Sequence, residues 1–172
     1  MQAIKTIGFI GVGVMGEPMC RHLAQKSGAA VLACDRDGAP LARLAECGVR
    51  AATMAEVSAQ ADIVFLSLPS GEVVESVVLG ENGLLAGGRA GQIIVDLSTS
   101  TMNTARKAAE ALAARGMKFA DAPVMRTRAA AEAGTLAVPV GADDALFAPV
   151  EVHARNEVAP LVVQLELQLG GR

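Results

Sequence analysis

Residues 7–24 read IGFIGVGVMGEPMCRHLA. An apolar run leads straight into Gly11, Gly13 and Gly16, in the spacing G-x-G-x-x-G, and a helical pattern follows. On its own that spacing is a weak signal. Between a strand and a helix it has a mechanical meaning. The first glycine permits a tight turn, the second lets the backbone approach a pyrophosphate, and the third lets helix and strand pack closely. The helix N-terminus then faces the phosphates. This setting calls for an acidic residue about 20 residues further on, at the end of the second strand. Asp35 stands there, closing VLACD. Its carboxylate would accept hydrogen bonds from the ribose hydroxyls of an adenosine and repel a 2′-phosphate, which favours NAD. Arg36 beside it suits a 2′-phosphate, so NADP stays open. A purely structural reading also exists: the glycines form a turn and Asp35 caps the next helix.

Outward from that stretch, apolar runs alternate with helical patterns. IKTIGFIG (4–11), AAVLACD (29–35), ADIVFLSLP (61–69), GQIIVDLST (91–99) and MKFADAPV (117–124) read as strands. Residues 14–28, 38–48, 71–80 and 101–116 read as helices, stopped by Gly28, Gly48, Gly80 and Gly116. Pro18 is tolerated in a first helical turn. Residues 49–57 carry only a weak turn of structure, and 86–91 a short glycine-rich loop. Strands alternating with helices at this spacing predict an α/β fold, a doubly wound, mostly parallel sheet. The strands are continuous apolar runs, as expected where helices cover both faces. LAVPVG (136–141) also reads as a strand, but Pro139 in it implies an edge or a break.

The composition narrows the function. The 172 residues are 52% hydrophobic and 19% charged, enough for a buried core. With four Phe and no Trp or Tyr, that core is aliphatic, and the stacking platforms of single-strand binders are missing. A net charge of −3 without a basic cluster argues against nucleic acid or an anionic membrane surface as partner. Cys20, Cys34 and Cys47 have neither C-x-x-C nor metal-ligand spacing, and their odd number fits a reducing compartment. Glycines, Glu17 and Pro18 interrupt the apolar start, so it does not read as a secretory leader. No apolar stretch reaches a membrane span. These features together predict a cytoplasmic protein.

Four motifs in order carry a family resemblance. IGFIGVGVMGEPMCRHL resembles the N-terminal signature of the β-hydroxyacid dehydrogenases, which include 3-hydroxyisobutyrate dehydrogenases, tartronate semialdehyde reductases and glyoxylate/succinic semialdehyde reductases. Met15 and Gly16 match its Met-Gly pair. FLSLPSGEVVESVVLG, VDLSTS and DAPVMRTRAAAEAGTLAVPVGAD resemble its Leu-Pro loop, its Ser/Thr loop and its substrate loop. The resemblance covers about residues 4–150. It implies a Rossmann NAD(P)-binding domain over 1–150, with 151–172 an atypical tail. It places Gly11, Val12, Gly13, Met15 and Gly16 at the pyrophosphate, Asp35 and Arg36 at the adenosine ribose, and Leu68, Pro69 and Thr99 on the nicotinamide side. The implied reaction converts a small 3-hydroxy acid to its semialdehyde or back. From the residues alone, Pro69 shapes a strand-end turn, and Ser98 or Thr99 either offers a hydroxyl to the cofactor or caps the helix at 101.

The substrate loop departs from the family pattern. Met125, Arg126 and Thr127 stand where many members carry Ser-Gly-Gly. Thr127 with Arg126 or Arg128 would form an altered acid-binding site; alternatively, the arginines begin a solvated helix. The family's proton donor is a lysine in a G-x-G-x-x-x-K-type motif within a following helical domain. None of Lys5, Lys26, Lys107 and Lys118 stands in such a motif, so no catalytic residue is assigned, and a polar stretch makes His153 a weak substitute. The resemblance fades near ALFAPVE, and VQLELQL (163–169) has a strand period. A frame shift near codon 150, a truncation or an independent short protein would each account for this. Without the helical domain, little activity is expected, together with an exposed apolar face that favours a homo-oligomer. The rivals are a non-catalytic dinucleotide-binding module and, more distantly, imine-reductase-like chemistry.

Overall fold

The computed structural model describes residues 4–125, 127–141, 146, 150 and 161–165, the last segment as backbone only. The strands are β1 (Thr6–Ile10), β2 (Ala30–Cys34), β3 (Arg50–Ala51), β4 (Ile63–Leu66), β5 (Ile93–Asp96), β6 (Lys118–Asp121), β7 (Ala137–Gly141) and β8 (Leu161–Leu165). They form an 8-stranded sheet in the order β3-β2-β1-β4-β5-β6-β7-β8. Neighbours run parallel except β6 and β7. The first six strands therefore have the doubly wound dinucleotide-binding order, and the chain reverses its direction of travel between β1 and β4. In open α/β sheets ligands bind at such a switch point, in the crevice beyond the carboxyl ends of the strands.

Sequence alternation decides which helix covers which face. Ile7, Phe9, Ile63, Phe65, Ile93 and Val95 point to one side, against α1 (Gly16–Lys26), α2 (Gly38–Ala45) and α7 (Arg128–Ala133). Ile10, Val64, Leu66 and Ile94 point to the other. There they meet α3 (Met54–Gln60), α4 (Gly71–Leu79), α5 (Leu84–Gly87) and α6 (Met102–Ala113). Phe9 and Phe65 are register partners on β1 and β4, and their rings stack with centroids 6.2 Å apart. Both are fully buried directly beneath the glycine turn. Burial of each is worth about 1.5–3 kcal/mol, so this pair helps anchor β1 to β4.

Every predicted strand and helix is present, with ends trimmed by one to a few residues. Pro18 falls in the first turn of α1, and positive-φ glycines follow α1 and α2 and precede β5 and β6. The segment 49–57 holds more than a turn. It contains β3 and the start of α3, which opens on a capping box: Thr53 Oγ1 accepts from the Glu56 N–H (3.2 Å), and the Glu56 carboxylate accepts from the Thr53 N–H (2.8 Å). Pro139 lies inside β7 with β8 alongside, not at an edge. The expected break is on the β6 side, where pairing is limited to Asp121 with Gly141 and a separate bridge from Met125 to Ala137. The strand-like tail pairs as β8 over 161–165, two residues earlier than its alternation suggests. Among the described residues no helix is long and apolar enough to cross a membrane, and no His/Cys/Asp/Glu group has the geometry of a metal site.

Candidate dinucleotide-binding site

The glycine turn is fixed from below and from the side. Gly11 has φ +90°, a conformation that disfavours any side chain, and its N–H donates to the Cys34 carbonyl of β2 (3.0 Å). A Cβ on Gly11 would strike the Ser67 carbonyl beyond β4, and one on Gly16 would strike the Gly11 carbonyl. Gly13 differs: among the described residues nothing lies within 4 Å of the position its Cβ would take. Packing thus explains the first and third glycines but not the second. Gly13 is exposed, and beside it a cleft of about 510 Å³ runs between α1, α2 and α7, walled by Glu17, Arg21, Asp37, Arg43, Arg128 and Glu132 and by none of Asp35, Leu68, Pro69 and Thr99. A glycine facing open space at a helix start is the opening that close approach of a pyrophosphate requires. α2, α3, α4 and α6 each carry a side-chain cap, whereas α1 has none.

Asp35 is part of the same loop. Its Oδ2 accepts from the Val12 N–H (2.7 Å) and its Oδ1 from the Asp37 N–H (2.9 Å). The cap of α2 is Asp37, whose Oδ1 accepts from the Ala39 N–H (2.9 Å), so the alternative role for Asp35 as cap is corrected. Val12 and Gly16 are buried and Met15 is half-buried against the core, so these three line the loop from beneath. The Val12 side chain faces the core and its N–H is taken by Asp35, so Val12 shapes the loop from within. Arg36 is exposed and, among the described residues, has no hydrogen-bond or ion-pair partner. Glu17 on α1 takes both a 2.7 Å Nε and a 2.7 Å Nη2 bond from Arg43 on α2, which holds its carboxyl below the usual range.

Two loops face this turn from β4 and β5. Leu68 is half-buried, Pro69 and Thr99 are exposed. The residue that caps α6 is Thr101, through the Thr104 N–H (3.2 Å), so neither Ser98 nor Thr99 does so. Ser98 is buried, its Oγ accepting from the Leu68 N–H (2.9 Å), and so is engaged by the neighbouring loop. The Thr99 hydroxyl is the one left to meet a ligand. Asp96, fully buried, accepts from the Ser98 N–H (2.9 Å) and the Ser100 hydroxyl (2.7 Å).

The loop after β6 carries the residues expected at a substrate. Met125 is exposed and hydrogen-bonded through its backbone to Ala137. Thr127 is exposed at the start of α7, and its side chain makes no capping bond. Arg128 is held by Glu132 one turn on (2.7 Å), as a helix-start arginine would be. Arg126 and His153 lie outside the described residues. Lys5 precedes β1, Lys118 begins β6 and Lys26 ends α1, all at the amino ends of the strands, opposite the glycine turn, while Lys107 on α6 reaches Glu75 (3.4 Å).

Sequence reading missed Asp121. It is the register partner of Asp96, and its Oδ1 is buried with no partner among the described residues. Burial, with a smaller contribution from the charge of Asp96, raises its carboxyl to about 6. The folded state therefore keeps a proton that the unfolded chain, with a carboxyl near 3.9, releases. Stability is penalised increasingly as pH rises between those two values, and the penalty is complete above about pH 6. Asp121→Asn removes the ionisation. Thermal melts should show variant and wild type alike near pH 4 (roughly the unfolded-state value), with the variant more stable above about pH 7. A difference that does not change with pH would contradict this origin.

The family described as the NAD binding domain of 6-phosphogluconate dehydrogenase matches residues 6–153. The chain belongs to that family. It is 40% identical over 152 residues to 2-(hydroxymethyl)glutarate dehydrogenase of Eubacterium barkeri, covering 88% of this chain and 50% of that one. It is 41% identical over 136 residues to 3-hydroxyisobutyrate dehydrogenase of Pseudomonas aeruginosa, covering 78% and 45%. A structure of Mycobacterium tuberculosis 3-hydroxyisobutyrate dehydrogenase with L-serine superposes with TM-score 0.85 at 31% identity, over 94% of this chain and 54% of that one. A structure of Psf3 solved with NADP+ and 2-OPP gives TM-score 0.87 at 27% identity, over 94% and 57%. The chain spans about half the length of the curated relatives it matches. The fold is Rossmann-like and the domain is an NAD-binding one, as the glycine turn and Asp35 suggested, with NADP also found in a structural neighbour.

Proposed function

We propose that this chain is the cofactor-binding half of a 3-hydroxyisobutyrate dehydrogenase-like oxidoreductase acting on a small 3-hydroxy acid or its semialdehyde. The observation that carries the reading is Gly13, a glycine the protein's own packing does not require, open at the switch point between β1 and β4. In this reading the backbone N–H groups of Gly13 and Val14 and the start of α1 take the pyrophosphate, beside Val12 and above Met15 and Gly16. Asp35 takes the adenosine ribose, next to Arg36. Because Asp35 already holds the loop through Val12, its charge is fixed where a 2′-phosphate would sit, which favours NAD. Leu68, Pro69 and Thr99 flank the nicotinamide, and the backbone and hydroxyl of Thr127, near Met125, face the substrate acid. When bound, NAD supplies the hydride acceptor. The chain's own residues orient it and exclude water from one side.

Hydride transfer to a carbonyl carbon, or from the carbinol carbon in reverse, also needs a group to give or take the hydroxyl proton. The four lysines stand away from the crevice, which supports the reading that this chain alone has little turnover. It equally supports the second reading, a binding module without catalysis. Calorimetry with NAD and NADP, together with assays on three- and four-carbon semialdehydes, separates them. NAD binding together with saturable binding of a small 3-hydroxy acid to the NAD-loaded chain, or any NADH-dependent reduction of a semialdehyde however slow, supports the dehydrogenase half; NAD binding with neither supports the module. Absence of binding to either nucleotide would overturn both.

A further inference from the structure

We infer that Ser98, oriented by Asp96, is a positioning residue that clamps the two nicotinamide-side loops to each other. The inference rests on the reading of the crevice as an NAD site. The backbone ladder between β4 and β5 ends with the Leu97 N–H donating to the Leu66 carbonyl (2.9 Å). Beyond that bond the two chains part, residues 67–70 leading into α4 and 97–101 into α6. One side chain spans the gap. The Leu68 N–H, with no strand partner left, donates to Ser98 Oγ at 2.9 Å. Ser98 is only 5% exposed, so its hydroxyl serves Leu68 rather than a ligand.

Asp96 sets that geometry. It is 0% exposed, and its two oxygens receive the Ser98 N–H and the Ser100 hydroxyl. The loop is thereby folded over the carboxylate as an Asx turn, pinned on either side of Thr99. Thr99 is left at the tip with its side chain exposed. Leu68–Pro69 and Thr99 are thus held together before any ligand arrives. Loops ordered in advance do not spend binding energy on being ordered. The adenosine side, built on Gly13 and Asp35, shares none of these bonds.

This asymmetry gives the test. ADP reaches only the glycine turn and Asp35, whereas NAD also engages the clamped loops. Calorimetry on the full chain should show Ser98→Ala weakening NAD by about tenfold, since it leaves the Leu68 N–H without its acceptor. ADP affinity should stay within about twofold of wild type. Ser98→Thr, which keeps the hydroxyl, should restore NAD binding. Ser100→Ala, a milder change, should weaken NAD by about threefold with ADP again unaffected, and it decides the matter where Ser98→Ala fails to fold. Equal NAD affinity in all variants would overturn the clamp, as would parallel losses of NAD and ADP, the mark of a general structural role. A wild-type chain that binds ADP but gains nothing from the nicotinamide half would overturn the clamp alone. A chain that binds neither would overturn the NAD reading as well.

Discussion

Gly16→Ala is expected to cost at least about 3 kcal/mol of stability and lower the thermal midpoint by roughly 10 °C. Two effects oppose each other at this position. Alanine improves helix propensity over glycine by up to about 1 kcal/mol. Against that, the new methyl would overlap the Gly11 carbonyl oxygen, with the Gly11 carbonyl carbon at 2.9 Å and Phe9 Cε1 at 3.2 Å. A flexible side chain would swing aside, but a backbone carbonyl cannot. Gly11 is tied through its N–H to Cys34 on β2, and Phe9 is stacked on Phe65 on β4. Relief would therefore require moving α1 off the sheet, losing contacts of Met19, Cys20 and Leu23, all fully buried. The clash wins, and against a typical stability of about 5–15 kcal/mol the loss is large. Circular dichroism melts check it; a midpoint within a few degrees of wild type would show that the helix is not held as closely as the structure has it.

Gly13→Ala should do the reverse. Among the described residues its methyl meets no atom within 4 Å, and its φ is not in the left-handed region. The thermal midpoint should hold or rise slightly, because alanine restricts the unfolded chain more than glycine by about 0.4–1 kcal/mol. NAD affinity should fall by roughly 30-fold or more, about 2 kcal/mol. The methyl stands in the space that lets phosphate oxygens come within hydrogen-bond reach of the turn and α1. Melting and NAD calorimetry on the same sample separate the effects. A fall in stability would make Gly13 a packing glycine, and unchanged affinity would remove the phosphate from this turn. The pair Gly16 and Gly13 thus divides one motif into a residue needed for the fold and a residue needed for the ligand.

Much of this was legible in the chain itself. Continuous apolar runs ending in Gly, Asp or Pro located the parallel strands, because helices bury both faces of such a sheet. The glycine spacing and Asp35 located the crevice, because its geometry is local: a strand, a turn and a helix within a few residues. Less local features were not legible. α3 was passed over because its signal is a capping box, Thr53 to Glu56, rather than a long amphipathic stripe. The pairing of Asp121 with Asp96 depends on the register of β5 against β6, which no single strand encodes. Ser98 read as a ligand or a cap because its acceptor role toward Leu68 joins residues 30 positions apart. The Asp-x-Ser spacing of 96–98 did signal an Asx turn, and that pattern could have pointed to the loop's rigidity. Arg128 followed the plainer of its two alternatives, a helix-start arginine bound to Glu132.

In the proposed function this chain holds NAD across the carboxyl ends of β1, β2, β4 and β5. A titration of the 15N-labelled chain with NAD, followed amide by amide, tests it most directly. Saturable shifts should appear at Val12, Gly13 and Val14, at Arg36, and at Leu68 and Thr99, while the amides of β3 and the far end of α6 stay in place. Saturation without movement of the glycine turn, or no saturable movement at all, would contradict the account.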